Sequence, residues 1–501
     1  MKNIITYTIL AIAILVNQSC VDLAENPLGR MAPEGFFKTE EDVQAAVNGA
    51  YAEWITAHIE SELFFKLMLR SDMADIGDRN TLADRITVND FNMDAENDFC
   101  WITWNRMYQS VSAANTAIKG ARGIEADQNV KDELEAKARF IRAFTYFHLV
   151  RVYSEVPYLD EPIESAEAMD AITQSSEAEI YDNIIADLVF CKEHLPVSYP
   201  SNIRNIGTQG AAATMLADVY LTLGMFDEAA TEARFVINNA GTFDYSLAQD
   251  YQDLYNADVV RSLKEPIFTY ELKNTLSQGQ YNPDGGMINL TRIRDLAPRS
   301  LSVAVPSLAV YNSWDNRDYR KKVCFEDSVM VDGVKTALVD LNIRVPRPHI
   351  AKYFRYPGPQ EKGDDRSSDH LYSMYRFADV LLIAAEAIAE TEGATAEAIG
   401  YFNQIRSRAR FNGVTTTDYP EDVAFGINTQ DFIDAIREER RLEFAFEFKR
   451  WYDIKRWGIL EETFTGSSSL EPHPVDPNRD YLFPLPQGEI DVTGFDQNPG
   501  Y

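Results

Sequence analysis

The chain has 501 residues, of which 45% are hydrophobic and 25% are charged, a balance typical of a globular protein. A formal net charge of -31 repels phosphate backbones and anionic lipid head groups, which argues against nucleic acid as a partner. The four cysteines form no C-x-x-C pair, and their spacing fits neither a zinc site nor a disulfide framework.

Residues 1–19 have the pattern of an export signal. Lys2 supplies a short basic region, and residues 9–16 form an apolar stretch that is too short to span a bilayer. A small residue stands directly before Cys20, which resembles the bacterial signal whose cysteine is lipidated and becomes the new N-terminus. Asn17 departs from that pattern, which has Leu or a similar residue there. Lipidation of Cys20 is the expectation, and an ordinary secretory signal that leaves a free thiol is the alternative.

The chain that follows is predicted to be mainly helical. Residues 20–40 are rich in turn formers and predict a tether, and acidic residues after Thr39 favour a helix start there. Residues 131–153 place apolar side chains three and four positions apart, which predicts one long amphipathic helix. That helix is expected to end before Pro157.

Helical pairs recur along the chain. Residues 210–240 match the alternation of small and large residues in a tetratricopeptide repeat. Further pairs are predicted at 377–409, at 131–153 with 176–195, and at 431–457. Stacked pairs bury a shared core, so we predict a mainly α fold built on about four tetratricopeptide-like units. Chance similarity between Ala-rich helices is the alternative for the pairs outside residues 210–240.

Residues 270–370 break this helical pattern. Frequent Gly and Pro interrupt any long element, and residues 329–331 are expected to form a short β-hairpin that turns at Asp332-Gly333. A long irregular insertion on a helical scaffold is usually functional, so a loop-rich ligand-binding subdomain is predicted here.

Several sequence motifs, taken in chain order, resemble those of a known family. They are residues 26–27, Phe36 to Asp42, Asn48 to Tyr51, Trp104 with Tyr108, Ala114 and Asn115, Glu135 to Ala143, Val156-Pro157, Tyr375 to Leu382, Glu438 to Glu447, Arg450 to Gly458, Tyr481 to Pro486, Glu489-Ile490 and Gln497 to Tyr501. In these motifs the chain resembles the SusD/RagB family of nutrient-binding outer-membrane lipoproteins. The resemblance covers nearly the whole mature chain.

The resemblance implies a helical scaffold of four tetratricopeptide-like units that carries a less regular ligand-binding subdomain. It also implies a lipid-anchored protein at the outer membrane, most simply at the cell surface, and a TonB-dependent SusC-like β-barrel partner over which the protein acts as a lid. The expected regions are a signal peptide at 1–19, a tether at 20–40, an N-terminal SusD-like helical region at 41–260, and a C-terminal region at 270–501. The last is divided into the irregular insert 270–370, helical pairs 371–460 and a Pro-rich tail 461–501.

Catalytic patterns are missing from the sequence. It contains no H-E-x-x-H, no G-x-S-x-G and no phosphate-binding loop, and its six histidines are scattered without ligand spacing. Paired carboxylates could serve glycoside hydrolysis, but an acidic chain supplies many of them by chance. We therefore expect a protein that is not an enzyme and that needs no cofactor and no metal.

Carbohydrate binding needs only an aromatic face and polar groups at its rim. Trp101 is the first choice for a stacking platform, because Trp104, three residues further on, matches the core of the family's helix. Tyr281 is a second choice, and ordinary loop or core roles are the alternative. The candidate glycan-binding residues are Asp78, Arg79, Asn97, Trp101, Tyr281 and Trp314. Trp314 is the weakest, because residues 314–318 resemble a structural turn of the family.

The leading interpretation is a glycan-binding lipoprotein that serves a transporter. A tetratricopeptide-type scaffold for protein interaction, or a binder of a non-carbohydrate nutrient such as a peptide, is the alternative. Residues 438–458 are expected to be structural, with Arg440, Arg441, Glu443 and Glu447 at helix spacings that suit ion pairs.

Overall fold

The computed structural model describes residues 37–271, 287–358, 368–465 and 473–501, and helices dominate these ranges. The helices are α1 Glu40–Glu60, α2 Leu63–Leu69, α3 Ala83–Asn89, α4 Asp98–Gly123, α5 Gln128–Tyr153, α6 Ala166–Asp170, α7 Glu177–His194, α8 Gln209–Thr222, α9 Phe226–Asn238, α10 Ala240–Phe243, α11 Met287–Thr291, α12 Leu308–Ser313, α13 Tyr319–Cys324, α14 Phe377–Glu392, α15 Ala396–Ala409, α16 Thr429–Glu443, α17 Arg450–Trp457, α18 Leu460–Phe464 and α19 Gln487–Thr493. The strands are β1 Ala74–Ile76, β2 Pro266–Glu271, β3 Ala304–Pro306, β4 Phe325–Glu326, β5 Ser328–Val331, β6 Val334–Ala337, β7 His349–Ile350 and β8 Leu371–Arg376.

Local sequence signals start the long helices. The first turn of a helix leaves backbone N–H groups without partners, and hydroxyl or carboxylate side chains can accept from them. Thr39 and Asp42 do so reciprocally in a capping box at α1, which confirms the predicted helix start. Ser176, Thr208 and Thr395 each accept from the backbone N–H three residues further on, at the starts of α7, α8 and α15.

The long helices form a continuous stack. α1 packs against α4, α4 against α5, α5 against α7 and α7 against α8; α9 then packs against both α8 and α14, and α14 packs against α15. All four predicted pairs are helical, and in the last of them Arg440 of α16 contacts Asp453 of α17 at 3.0 Å. The mainly α scaffold of tetratricopeptide-like pairs is therefore confirmed.

Two glycines allow close packing beside α8. A Cβ atom at Gly207 would lie 2.6 Å from the ring of Phe140, and one at Gly210 would lie 2.6 Å from the hydroxyl of Tyr245. Contacts this short are repulsive, so only glycine lets these segments approach. The glycine at the start of the 210–240 pair is thus explained by packing.

The irregular segment contains short strands that pair antiparallel. β1 pairs with β3, β2 with β8, β4 with β7 and β5 with β6. The predicted hairpin is confirmed, because Val331 faces Val334 across a two-residue turn. Asp332 and Gly333 have φ of 49° and 81°, the positive values that a tight hairpin turn of this kind requires.

The C-terminal tail is anchored on the N-terminal helices. The fully buried Arg70 forms an ion pair of 3.1 Å with Asp480. The backbone N–H of Phe483 donates to the carbonyl of Val152 at 2.9 Å, and Asn498 donates to the carbonyl of Tyr153 at 3.0 Å. The C-terminal sequence motifs that resemble the family therefore have a structural role.

The charged segment at residues 438–447 lies at the centre of a buried network of ion pairs. α16 ends at Glu443, so Glu447 lies beyond the helix, and both carboxylates pair with other parts of the chain. The partners of Glu443 are Arg320, Arg376 and Arg408, and those of Glu447 are Arg376 and Lys352. The predicted residues therefore do not pair with one another along the helix, and within α16 Arg441 contacts Glu438 at 2.6 Å instead.

A buried histidine makes the irregular segment sensitive to acid. His349 donates from Nδ1 to the carbonyl of Arg347 at 2.8 Å and accepts from the Ser302 hydroxyl at 2.7 Å. Burial is the largest influence on its pKa and lowers it from 6.5 to about 4, so the folded state holds the neutral ring. The contribution of neutral His349 to the free energy of unfolding is complete above pH 6.5 and is lost as the pH falls from there toward 4.

Between about pH 7 and about pH 5, we expect wild type to lose about 2 kcal/mol more unfolding free energy than His349→Gln. Glutamine keeps a donor and an acceptor but does not titrate. Urea unfolding at both pH values measures the difference, and equal losses in the two proteins would contradict this role for His349.

Candidate functional site

The loop after β1 holds one of the predicted residues, Asp78, against the irregular segment. The backbone N–H of Gly77 donates to the carbonyl of Val303, and that of Asp78 donates to the carbonyl of Ser302, both at 2.8 Å. A Cβ atom at Gly77 would lie 2.5 Å from that Ser302 oxygen, so the close approach requires glycine. The Asp78 carboxylate then accepts from Arg294 at 2.7 Å.

Arg79 points to solvent and pairs with Asp90, at the end of α3. Its side chain is 56% exposed, and the neighbouring Asn89 donates to both Asp75 and Asp90. An exposed pair of this kind contributes at most about 1 kcal/mol to stability. Arg79 and Asp90 can therefore exchange their mutual hydrogen bonds for hydrogen bonds to a ligand, and the protein loses little stability when they do.

Asn97 is the N-cap of α4. Its amide oxygen accepts from the backbone N–H of Phe99 at 2.9 Å, and its Nδ2 donates to the hydroxyl of Thr87 on α3 at 2.7 Å. The residue is 9% exposed. Its amide is thus used in fixing α3 to the start of α4.

Trp101 lies one turn into α4 and is 52% exposed, the largest aromatic side chain among the exposed residues of the described ranges. Trp104, three residues further along, is 4% exposed and packs edge-on against Tyr153 with ring centroids 5.4 Å apart. The assignment of Trp104 to the helix core is confirmed. Trp101 therefore offers an indole face that the core does not use.

Arg79 and Asn97 both contact α3 or the residue that ends it, whereas the Asp78 carboxylate pairs with Arg294. Arg79 pairs with the residue that ends this helix, and Asn97 bonds to a side chain within it, while Trp101 follows Asn97 by one helical turn. We call Asp78, Arg79, Asn97 and Trp101 the α3 surface. Sequence reasoning missed α3 itself and Asp90, because a seven-residue helix in a polar loop has no clear periodicity.

The other candidates do not join this surface. Trp314 is 3% exposed and packs edge-on against Phe325 at 5.2 Å, so its ring has a packing role and offers no face to a ligand. Tyr281 and the proposed lipidation site Cys20 lie outside the described residues. The other three cysteines are buried.

A cavity of about 500 Å³ lies in the irregular segment, beside the hairpin formed by β5 and β6. We call it the hairpin cavity; its lining is drawn from residues 311–330 together with Gln252, Lys335 and residues 355–356. Its volume is in the range of small-molecule sites. Sequence reasoning located a ligand site in this segment only in general terms, because the fold adds Gln252, Lys335 and residues 355–356 to the stretch 311–330.

Two properties of the described ranges bear on function. Over these residues, no cluster of histidine, cysteine, aspartate or glutamate is arranged to hold a metal ion. Every helix in the same part of the chain is too short or too polar to cross a bilayer.

Comparison with known proteins identifies the family. A family model described as the SusD family matches residues 309–501, and one described as starch-binding and associating with the outer membrane matches residues 25–221. A crystal structure of a SusD homolog from Bacteroides thetaiotaomicron has a TM-score of 0.79 at 19% identity, over 94% of this chain and 99% of that one. A laminarin-binding SusD-like protein has a TM-score of 0.74 at 21% identity, over 93% and 100%.

These structural matches, each below 25% identity, show that the fold is shared. A SusD-like protein of Formosa agariphila is 42% identical over 513 residues, which cover 100% of both chains. At that identity over the full length of both proteins, this chain belongs to the SusD-like family.

Proposed function

We propose that this protein is a cell-surface lipoprotein that binds an oligosaccharide, without cleaving it, and delivers it to a SusC-like TonB-dependent transporter. Membership of the SusD-like family supports the proposal, as does the description of the family model that matches residues 25–221. The laminarin-binding protein with the same fold is an example of glycan binding on this scaffold.

The half-exposed indole of Trp101 is the observation that carries the proposal. An aromatic face stacks on the C–H surface of a sugar ring, and nearby polar groups bond to its hydroxyls. Arg79 and Asp90, at the end of α3, supply partly exposed donors and acceptors.

A glycan array of neutral and acidic oligosaccharides, probed with the purified protein from residue 21 onward, tests the binding function. We expect retention of one class of oligosaccharide and no release of reducing sugar from it. Retention of peptides in place of every glycan would favour the alternative nutrient, and hydrolysis would contradict a purely binding role. Co-purification of a large β-barrel with the full-length protein tests the transporter partner.

The proposed lipid anchor gives a separate prediction. Replacing Cys20 by alanine is expected to move nearly all of the protein from the membrane fraction to the soluble one, because acyl chains provide the proposed attachment. Cell fractionation with mass spectrometry of the N-terminal peptide measures this. Cys100→Ala, which changes a buried cysteine of the folded body, is the matched control and should stay with the membrane. Membrane retention of the Cys20→Ala protein would show that the anchor lies elsewhere.

A further inference from the structure

The hairpin cavity has a charge opposite to that of the chain as a whole. Four basic side chains line it against two acidic ones, in a protein whose net charge is -31. The basic residues are Lys321, Lys322, Lys335 and Arg355, and the acidic ones are Glu326 and Asp327. Exposed charges are screened over about 8 Å at physiological salt, so a ligand in the cavity interacts mainly with these local groups.

Internal pairing accounts for only part of this charge. Arg355 contacts Glu326 at 3.1 Å, and these two opposite charges cancel. Asp327 accepts from the hydroxyl of Tyr311 and from the hydroxyl of Ser328, both at 2.8 Å. Three ammonium groups and one carboxylate remain, which leaves an excess of two positive charges.

Lys321 is held in place by neutral acceptors. Its Nζ donates to the carbonyl of Trp314 and to Oδ1 of Asn316, both at 2.8 Å, and lies 4.6 Å from the ring centroid of Tyr311. Burial lowers its pKa from the ordinary value. Asp327 and Asp315 act on this ammonium group from a distance and oppose that lowering, and a bound anion would supply the direct counter-charge that the neutral partners do not.

Lys322 and Lys335 stand at the exposed part of the cavity. Within the part of the chain that the structure describes, neither ammonium group forms an ion pair or a side-chain hydrogen bond. Both are therefore available to a ligand without breaking an internal contact. An ammonium group without a fixed partner is well suited to a carboxylate or sulfate oxygen.

Aromatic faces accompany the cations. Tyr311, Tyr319 and Tyr356 line the cavity, and Tyr356 is 41% exposed. Tyrosine rings stack on the apolar face of a sugar, and their hydroxyls can bond to its oxygens. A free inorganic anion would use the cations alone, whereas a sugar that bears an anionic group would use both features.

We propose that the hairpin cavity binds an acidic sugar residue, one that carries a carboxylate or a sulfate ester. This proposal rests on the glycan-binding function proposed above and names the class of glycan. The α3 surface provides a stacking face with mixed polar groups, whereas the hairpin cavity provides the selectivity for negative charge.

The experiment compares three oligosaccharides of equal length by isothermal titration calorimetry: tetragalacturonate, a sulfated tetrasaccharide from carrageenan, and neutral laminaritetraose. We expect an acidic probe to bind more tightly than the neutral one, and its affinity to fall from about 50 mM to about 500 mM salt. The two acidic probes distinguish a carboxylate ligand from a sulfated one.

The decisive variant is Lys322→Gln combined with Lys335→Gln, because both side chains are exposed and their replacement leaves the fold intact. We expect about a tenfold loss of affinity for the acidic probe and no change for the neutral one. Lys321→Gln is a second, independent variant, expected to weaken the acidic probe by about tenfold. Lys131→Gln on α5 does not line the cavity and is the matched control.

The outcomes separate the two proposals. Equal affinity for acidic and neutral probes, with no effect of the lysine changes, would overturn the acidic-sugar proposal while glycan binding stood. A glycan array without any retained sugar would overturn the binding function itself. Loss of acidic-probe affinity in the Lys131→Gln control as well would also overturn the assignment to this cavity.

Discussion

Replacing Glu443 by glutamine is expected to lower the free energy of unfolding by about 3–5 kcal/mol. Glu443 is fully buried and is contacted by Arg320, Arg376 and Arg408. Removing its charge leaves several guanidinium groups in the interior with too little negative charge among them. Desolvated charges without partners are among the few causes of large losses in stability.

Glu438→Gln is the matched control on the same helix. Glu438 is 49% exposed and pairs with Arg441 at 2.6 Å, so the same substitution removes an ion pair that water already screens. We expect a loss of at most about 0.5 kcal/mol. Urea unfolding at neutral pH measures both variants, and comparable losses would show that the network around Glu443 contributes no more than a surface pair.

The pH dependence gives a second measure of Glu443. Burial by itself raises the pKa of this carboxyl, but Arg408, Arg376 and Arg320 outweigh it and lower the pKa from 4.5 to about 2. The stabilisation is therefore complete above pH 4.5 and is lost as the pH falls from there toward 2. The stability difference between wild type and Glu443→Gln should shrink over that range, and a constant difference would contradict the assignment.

The helical scaffold could be predicted because its signals are local. Thr39 and Asp42 mark a helix start within four residues, and Asp332-Gly333 marks a hairpin turn within two. The partners of Glu443 could not be predicted in the same way. They come from positions 320, 376 and 408, and only the packed fold brings these guanidinium groups to one carboxylate.

The candidate site was predicted only in part, for the same physical reason. Trp101 stood out because its neighbour Trp104 fits the core face of a helix, and the exposure of the two rings agrees with that reasoning. β1 pairs with β3 across more than two hundred positions, and a three-residue strand has no periodicity to reveal it. The hairpin cavity draws its lining from several segments between residues 252 and 356, so its charge is visible only in the folded chain.

Replacing Trp101 by alanine is expected to weaken binding of the cognate glycan by about 10- to 100-fold. The indole presents a large rigid face to solvent, and alanine removes all of the area on which a sugar ring could stack. Because that face is not packed into the core, the free energy of unfolding should change by less than about 0.5 kcal/mol. Calorimetry with the glycan retained on the array, alongside urea unfolding, measures both quantities.

Two variants make this test specific. Trp101→Phe keeps an aromatic face and should recover most of the affinity, which loss of a merely structural contact would not explain. Trp104→Ala, on the same helix, removes a buried ring and should lower stability by about 3–5 kcal/mol. If Trp101→Ala binds the glycan as tightly as wild type, the stacking platform lies elsewhere. A large loss of stability in Trp101→Ala would instead assign this tryptophan to the core.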